Sequence, residues 1–482
     1  MTRLTDLPDT VDMLIVGAGT AGLVAAKTAA GFGATTLLVE AHRMGGDCLW
    51  TGCVPSKSLI HAAELAQSAR DGGHLGVHVD GLRVDFAAVM GHVHDAMETI
   101  APVDSVESIE QSGALVVMGR ARFTGPRSAE IDGRPIAFRQ AIITTGSAPS
   151  VPDAPGMDAV AMLTSDDVWD LTTLPERLVV IGGGAIGCEL GQAFARLGSH
   201  VALVQRGPRL LPKEDESASR IVTAALEDDG VDVRLGTQVV RVEAGDDGES
   251  GILHLDDGTA LPFDRLLAAL GRAPRTDDAL GLAAAGVDTD ERGHVVVDGT
   301  LRTSNPRIRA AGDVSGLPQF THTAGVNGSV AATNAVLGLR RTVSDVVPRV
   351  TFTHPEVAAV GLQPSEAEAN GCSVQTVDHH HVDRAIADDR TSGFTSLVID
   401  AKGRVRGALI VGPRAGESLG EASLAVTQGL RTSAIASSTH AYPTYSDAFW
   451  NAAVADVRGR LRTGAVGAAV RALARLRSLV VR

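Results

Sequence analysis

Two glycine-rich turns, about 165 residues apart, constrain this chain more than any other feature. The first follows Asp12-Met-Leu-Ile-Val, which reads as a buried strand, and runs Gly17-Ala-Gly19-Thr-Ala-Gly22. A helical stretch continues from Leu23 to Phe32, and a second strand from Thr35 to Val39 ends at Glu40. Strand, glycine turn, helix, strand and terminal acid, in that order, form the fingerprint of a dinucleotide-binding βαβ unit. The glycines let a pyrophosphate approach the helix N-terminus, and the acid can hold a ribose 2′-hydroxyl. The pattern returns as the strand Leu178 to Ile181, the loop Gly182-Gly183-Gly184-Ala185-Ile186-Gly187, a helix from Glu189 to Leu197 and a strand from His200 to Val204. Two such units imply two nucleotides. The second strand ends at Gln205, followed by Arg206 and Arg209. An acid there repels a 2′-phosphate and arginine accommodates it, so this unit is read for NADP(H) over NAD(H). Arginines that merely cover the surface would be the plainer reading.

Between the turns lies Gly45-Gly46-Asp47-Cys48-Leu49-Trp50-Thr51-Gly52-Cys53-Val54-Pro55-Ser56-Lys57. On an ideal helix, residues five apart point about 140° away from each other. Sulfurs that bond need Cα atoms within about 7 Å. The segment is therefore expected to be irregular, with Gly45, Gly46 and Gly52 supplying the freedom. Pro55 suits the first position of a helix, which sets Cys53 beside the positive helix end and favours a thiolate. We read a redox-active disulfide between Cys48 and Cys53 at a loop-to-helix junction. A structural disulfide or two unpaired core thiols are the plainer alternatives. Only four cysteines occur in 482 residues, however, and a disulfide-stapled secreted protein uses more in a shorter chain. Trp50 has no explanation at this level.

This stretch resembles the active-site signature GG-x-C-x4-C-[IV]-P-[ST]-K, matched in full, of the pyridine nucleotide-disulfide oxidoreductases. These are the FAD-dependent family of dihydrolipoamide dehydrogenase, glutathione reductase and mercuric reductase. The resemblance assigns Gly17, Gly19, Gly22 and Glu40 to the ADP half of FAD, with Gly46 and Lys57 nearby. Ile142 to Ser147 resembles the second flavoprotein motif and adds Thr145 and Gly146, after which Pro149, Pro152 and Pro155 mark a linker. Gly182, Gly184, Gly187, Gln205 and Arg206 would serve the nicotinamide cofactor. Leu266 to Thr276, LLAALGRAPRT, resembles the GRxPN return to the FAD domain, through Gly271 and with Arg275 in place of asparagine. Arg309-Ala-Ala-Gly312-Asp313 resembles the late flavin motif, whose aspartate binds the ribityl or pyrophosphate portion. By the same resemblance Glu189 pairs with Lys57, and Ala185 stands where some members place an aromatic gate. Cys53 would be the thiolate next to the flavin and Cys48 the exchanging thiol.

From Pro348 the pattern changes. Val350 to Gly361 resembles the opening of the family's dimerisation domain, which implies a homodimer whose active site is completed by the partner's C-terminal residues. Thr439-His440-Ala441-Tyr442-Pro443-Thr444-Tyr445-Ser446-Asp447 aligns with the family's H-x-H-P-T-x-x-E segment. There the histidine before proline is the acid–base, held by the glutamate. Here those places hold Tyr442 and Asp447. Tyrosine, with a pKa near ~10, is a poor base at neutral pH. His440 is an alternative base, since residues two apart share a face when extended. Mercuric reductases resemble this chain in carrying tyrosine there. They also carry a C-terminal cysteine pair, but Cys372 is the last cysteine here. His379-His380-His381 reads as surface, and no metal site is assigned.

Residues 457–482 hold seven arginines and no acid. Val466, Val470, Leu473, Leu476 and Val480 recur at helical spacing, so this tail reads as a basic amphipathic helix, packed on its own protein or touching an anionic membrane surface. The whole chain has a net charge of −14, which argues against nucleic acid as partner. The start of the chain has no apolar run of signal-peptide type and no stretch suits a membrane span, so the cytoplasm is the default compartment. The fold class is α/β. Residues 1–150 and 273–347 make an FAD-binding Rossmann-like domain and residues 151–272 an NAD(P)-binding one. Residues 348–456 make an α+β dimerisation domain. The function read is electron transfer from NAD(P)H through FAD and the Cys48–Cys53 disulfide to a small-molecule acceptor. A quinone, a metal ion or another non-lipoyl acceptor leads; a lipoyl or other disulfide substrate is the alternative, and a flavoprotein assembly subunit the third.

Overall fold

Val11, Met13, Leu14 and Ile15 are all buried in the strand Thr10–Val16, as a strand covered on both faces requires. It lies between Thr36–Glu40 and Arg134–Ile143, both parallel to it. Leu115–Met118 and Ile308–Ala310 extend the parallel pairing outward. Ala121–Gly125 and Ser128–Ile131 add an antiparallel edge. Alternate residues feed two cores: Leu14, Val16, Leu37 and Val39 on one face, Met13, Ile15 and Leu38 on the other. The second nucleotide unit has a four-stranded parallel sheet in the order Asp232–Leu235, His200–Gln205, Arg177–Ile181, Arg265–Ala268. An antiparallel meander, Val239–Ala244, Gly251–Leu255 and Ala260–Phe263, follows it. The outgoing and returning crossings pair with each other, Ser147–Pro149 against Arg272–Pro274.

The computed structural model describes residues 2–480. It divides into two units: one runs to Arg206 and resumes over Gly230–Ser344, the other takes Gly207–Asp229 and the chain from Asp345 on. The second unit is built on an antiparallel sheet in the order Arg349–Thr351, Glu356–Gly361, Val405–Gly412, Phe394–Ile399, Ser373–Asp378. The helices Ala415–Gln428 and Asp447–Arg462 share its core through Leu419, Ala422, Phe449 and Ala452. Gly207–Asp229 groups with this module because its polar groups are bonded there. Arg349 pairs with buried Glu214 at 2.7 Å, Gln363 donates to the Lys213 carbonyl and the Ser365 N–H donates to Asp215. The fold class is thus α/β, with two Rossmann-like units and a C-terminal α+β module.

Two helical stretches are broken, one of them the expected tail helix. The stretch 85–111 holds Phe86–Ile100 and Val106–Gln111, separated by a 3-10 turn containing Pro102. The tail changes helix at Thr463, between Asp447–Arg462 and Gly464–Val480. The side chains of Val466 and Val480, which complete the expected apolar stripe, lie outside the described residues. Among the described residues no helix is long and apolar enough to cross a membrane.

Candidate active site

The cysteine segment is less irregular than its spacing suggests. Cys48 sits in a one-turn helix, Gly46–Trp50, and Cys53 is the first residue of a long one, Cys53–Asp71. Pro55 is therefore the third residue of that helix, and Cys53 itself stands at its positive end. Gly45 and Gly46, with φ of +101° and +61°, turn the chain into the short helix. A Cβ on Gly52 would lie 2.8 Å from the Asp47 carbonyl oxygen, so glycine lets the two helices meet. Trp50 now has a role: its indole N–H donates to the Met44 carbonyl at 2.6 Å, and the Arg43 guanidinium lies 3.0 Å over its ring. Trp169, from the second nucleotide unit, donates to the Thr51 carbonyl.

Both cysteines are thiols here, and each shifts the other's titration. Cys48 lowers the Cys53 pKa to about 6. It is helped by the Thr321 hydroxyl, 3.3 Å away, and by the Lys57 charge, against burial. Cys53, with burial, in turn pushes Cys48 up, so Cys48 keeps the proton. Lys57 is held by buried Glu189 at 2.9 Å, as the resemblance implied. A groove of about 470 Å³ opens beside Cys53, lined by Val54, Lys57, His61, His92, Ala96 and Ile100 among others. Thr321 is 268 residues from Cys53 in sequence, and nothing local points to it.

The two fingerprints repeat each other atom for atom. A Cβ on Gly22 would fall 1.9 Å from the Gly17 carbonyl oxygen, and one on Gly187 1.8 Å from that of Gly182. The middle glycines, Gly19 and Gly184, cap their helices with no side-chain bond to the first-turn N–H groups. A Cβ on Gly184 would meet nothing within 4 Å, whereas Gly19 packs against Gly46, whose Cβ would lie 2.6 Å from the Gly19 Cα. Helix N-termini opened by glycine fit the close approach of a pyrophosphate. Glu40 accepts from the Ala18 and His42 N–H groups, both at 2.7 Å, and Gln205 accepts from the Gly183 N–H at 2.9 Å. Gln205 thus does for the second loop what Glu40 does for the first. Arg206 is exposed. Arg209 is not available: it donates to the carbonyls of Leu211, Pro212 and Glu214.

Arg272 gathers the remaining motifs. It donates to Ser147 Oγ at 2.8 Å and to Ser165 Oγ at 3.0 Å, and it pairs with the carboxylates of Asp47 and Asp166. Ser147 in turn donates to Asp313 at 2.6 Å. Asp313 opens a 3-10 turn behind Gly312, whose φ is +81°. Thr145 donates to the Arg275 carbonyl, Arg275 N–H donates to the Gly146 carbonyl, and Ser150 N–H to that of Gly271. The cysteine loop, the second flavoprotein motif and the late aspartate are therefore one hydrogen-bonded set. Sequence reasoning missed Arg272, although its place in the GRxPN-like turn was in view.

The C-terminal loop is arranged differently from the pattern it resembles. Tyr442, 72% exposed, donates to Asp383 Oδ2 at 2.5 Å. That bond, with the Asp383 charge, holds the phenol above its usual pKa. The chain's other tyrosine, Tyr445, donates to Asp388 at 2.9 Å, and burial and that bond push it to about 12. Asp447 does not bond Tyr442. Its Oδ2 accepts from the Thr444 N–H at 3.2 Å at the start of the helix Asp447–Arg462. His440 does not lean in either: Nε2 is 2.9 Å from Glu421 and Nδ1 3.1 Å from the Ser438 carbonyl. His379 of the histidine trio is buried, with Nε2 at 3.0 Å from Thr395 Oγ1.

Comparison with known proteins agrees with this geometry. Residues 11–328 match the family model described as pyridine nucleotide-disulphide oxidoreductase, and residues 347–453 match that family's dimerisation domain. A mercuric reductase from Bacillus cereus is 38% identical over 87% of this chain and 67% of its own length. A dihydrolipoyl dehydrogenase from Thermus scotoductus is 36% identical over 92% of this chain and 97% of its own. Among solved structures, LpdA from Mycobacterium tuberculosis superposes with a TM-score of 0.84 at 25% identity, covering 92% of this chain and 99% of that one. The Cu(II) complex of the HOCl-induced flavoprotein disulfide reductase RclA from Escherichia coli gives 0.81 at 27% identity, covering 90% and 98%.

Proposed function

Because the chain belongs to the pyridine nucleotide-disulphide oxidoreductase family, we propose that it passes electrons from NADPH through the Cys48–Cys53 pair to a quinone or metal ion. It is an FAD- and pyridine-nucleotide-dependent oxidoreductase, and its dimerisation domain makes it a homodimer. FAD and the pyridine nucleotide, once bound, supply the hydride transfer and the two-electron step that opens the disulfide. Gly17, Gly19, Gly22, Glu40, Gly46, Thr145, Gly146, Gly271, Gly312 and Asp313 would hold FAD. Gly182, Gly184, Gly187, Gln205 and Arg206 would hold NADPH, with exposed Arg206 set for a 2′-phosphate. Cys53 stays a thiolate through Cys48, Thr321 and Lys57, and Glu189 fixes Lys57. Cys48 keeps its proton and is the exchanging thiol.

One observation carries the choice of acceptor: the phenol of Tyr442, bonded to Asp383, stands where an acid–base imidazole is expected. Exchange with a disulfide substrate needs a thiolate to attack and a leaving thiolate to be protonated. A phenol held above its usual pKa accepts a proton poorly. A quinone needs no such group: it takes up two electrons and one proton as the Cys53 thiolate and the Cys48 thiol close to a disulfide, and its second proton comes from water. The names mercuric reductase and Cu(II) complex among its relatives support a metal ion as acceptor. The dihydrolipoyl dehydrogenase relative supports a lipoyl substrate, which the Tyr442 arrangement disfavours. The same reading has the partner subunit's C-terminal loop complete the active site, and the enzyme work at a membrane surface through its basic tail.

Steady-state oxidation of NADPH and NADH against quinones, Hg(II), lipoamide and glutathione disulfide tests this. Quinone or metal turnover should exceed that of both disulfides. NADPH should be preferred by about ten- to a hundredfold in kcat/KM, the worth of one charge-assisted contact. Arg206→Ala should narrow that gap. Lipoamide as the best acceptor, or NADH as the better donor, would overturn the corresponding half.

A further inference from the structure

The helix Gly464–Val480 lies beyond the family's dimerisation match, which ends at residue 453. The chain as a whole is strongly acidic, at −14, yet residues 457–482 hold seven arginines and no acid. This end is thus net positive on a chain that is otherwise net negative. Leu473, Leu476 and Leu479 are 65, 61 and 75% exposed, and Val470 is also exposed. At 100° per residue, Val470, Leu473, Leu476 and Leu479 span one half of the helix, with Arg471 and Arg475 on the other half and Arg477 inside the apolar arc, between Leu473 and Val470. Arg471 also donates to the Arg462 carbonyl, which ties this helix back to the preceding one.

Four aliphatic side chains exposed on one helix forgo the burial that a covering apolar phase would give them. The helix cannot cross a bilayer: its 17 residues span about 25 Å, and it is interrupted by arginines. It has the composition of a helix that lies flat in the headgroup region, with aliphatics turned to the acyl boundary and arginines reaching up to phosphates. A second copy of the same helix is a poorer cover. An antiparallel two-fold contact would set the arginine flanks of both copies side by side.

We propose that Gly464–Val480 is a peripheral anchor that seats the enzyme on an anionic phospholipid bilayer, through the stripe Val470, Leu473, Leu476 and Leu479 and the charges of Arg471, Arg475 and Arg477. The anchor brings the enzyme to where lipid-soluble quinones dissolve, and that consequence alone rests on the acceptor proposed above.

The test uses full-length FAD-loaded protein and vesicles of phosphatidylcholine alone or with phosphatidylglycerol. The protein should sediment with the phosphatidylglycerol vesicles, stay largely free of the others, and be released by salt. The double variant Arg475→Gln, Arg477→Gln should bind roughly thirtyfold more weakly. Leu473→Ser with Leu476→Ser should lose binding to a similar extent. Both variants should keep wild-type NADPH turnover with a water-soluble acceptor, which excludes misfolding. That turnover also judges the acceptor reading separately, because sedimentation needs no catalysis. Absence of binding, or equal binding to both vesicle types, would overturn the anchor. So would variants that shrink the oligomer in solution while leaving vesicle binding unchanged, since the stripe would then be covered by a second copy.

Discussion

The loop Gly45 to Lys57 and the loop Thr439 to Asp447 are the two places where the family's chemistry is expected, and they are built on opposite electrostatic plans. In the first, hydrogen bonds and a cation converge to strip a proton: Cys48, Thr321 and Lys57 all favour the Cys53 thiolate. In the second, they converge to keep one. Asp383 and Asp388 each accept from a tyrosine and hold both phenols protonated. The difference teaches that the cysteine loop favours a thiolate, whereas the C-terminal loop keeps its protons and offers no ready acceptor for one.

The largest expected effect breaks the first loop. Cys53→Ser should lower thiol-dependent turnover by roughly 10³-fold or more. In anaerobic titration, wild-type protein should take up the electrons of a disulfide in addition to those of FAD, and the variant only those of FAD. Equal uptake by both would remove the thiol pair from the mechanism.

The next effect repairs the second loop. Tyr442→His should raise lipoamide or glutathione-disulfide turnover by about 10²-fold, the low end of what a positioned acid–base contributes. Asp383 is already in place to orient the imidazole. Quinone turnover should barely move. A wild-type enzyme that reduces lipoamide as fast as a quinone would show that the proton group sits elsewhere, and the contrast between the loops would fail.

A smaller effect tests the field at the first loop. The Cys53 thiolate forms as pH rises through about 6, so a thiolate-dependent rate should fall as pH drops below that value. Lys57→Met removes one of the pulls on that proton and should move this limb upward. A shift of about one unit would lower the rate at mildly acidic pH roughly tenfold. An unmoved limb would mean that Cys48 and Thr321 alone set the thiolate.

What the sequence revealed follows from this contrast. Both fingerprints and the crossing strands were legible because their residues are fixed by local geometry or by a dense motif, and the Lys57–Glu189 pair, 132 residues apart, because the resemblance implied it. Cys53's partner Thr321 was not, nor was Arg272 on Asp47, because those contacts join segments 268 and 225 residues apart. Asp447 was read as a shortened catalytic glutamate. A local signal argued otherwise: Thr444 and Asp447 have the Thr-x-x-acid spacing of a helix start, and there the carboxylate binds. Tyr442's partner Asp383 and His440's partner Glu421 come from other helices of the C-terminal unit, and no motif links them.

The smallest effect decides what His440 is for. Burial disfavours its protonated form, but the Glu421 carboxylate and the Ser438 carbonyl outweigh burial and raise its pKa. A group whose folded pKa is raised stabilises the fold fully below its unfolded value, near ~6.5, and loses that contribution as pH rises through the folded value. Glu421→Gln should therefore cost about 1–2 kcal/mol in denaturant unfolding at mildly acidic pH and less in alkaline solution. Turnover with every acceptor should stay within about twofold of wild type, because both ring nitrogens of His440 are occupied within the fold. A cost independent of pH would mean that the imidazole is neutral in the fold. A large loss of disulfide turnover in Glu421→Gln, with stability little changed, would instead make His440 the proton carrier. The second loop would then offer a proton acceptor after all.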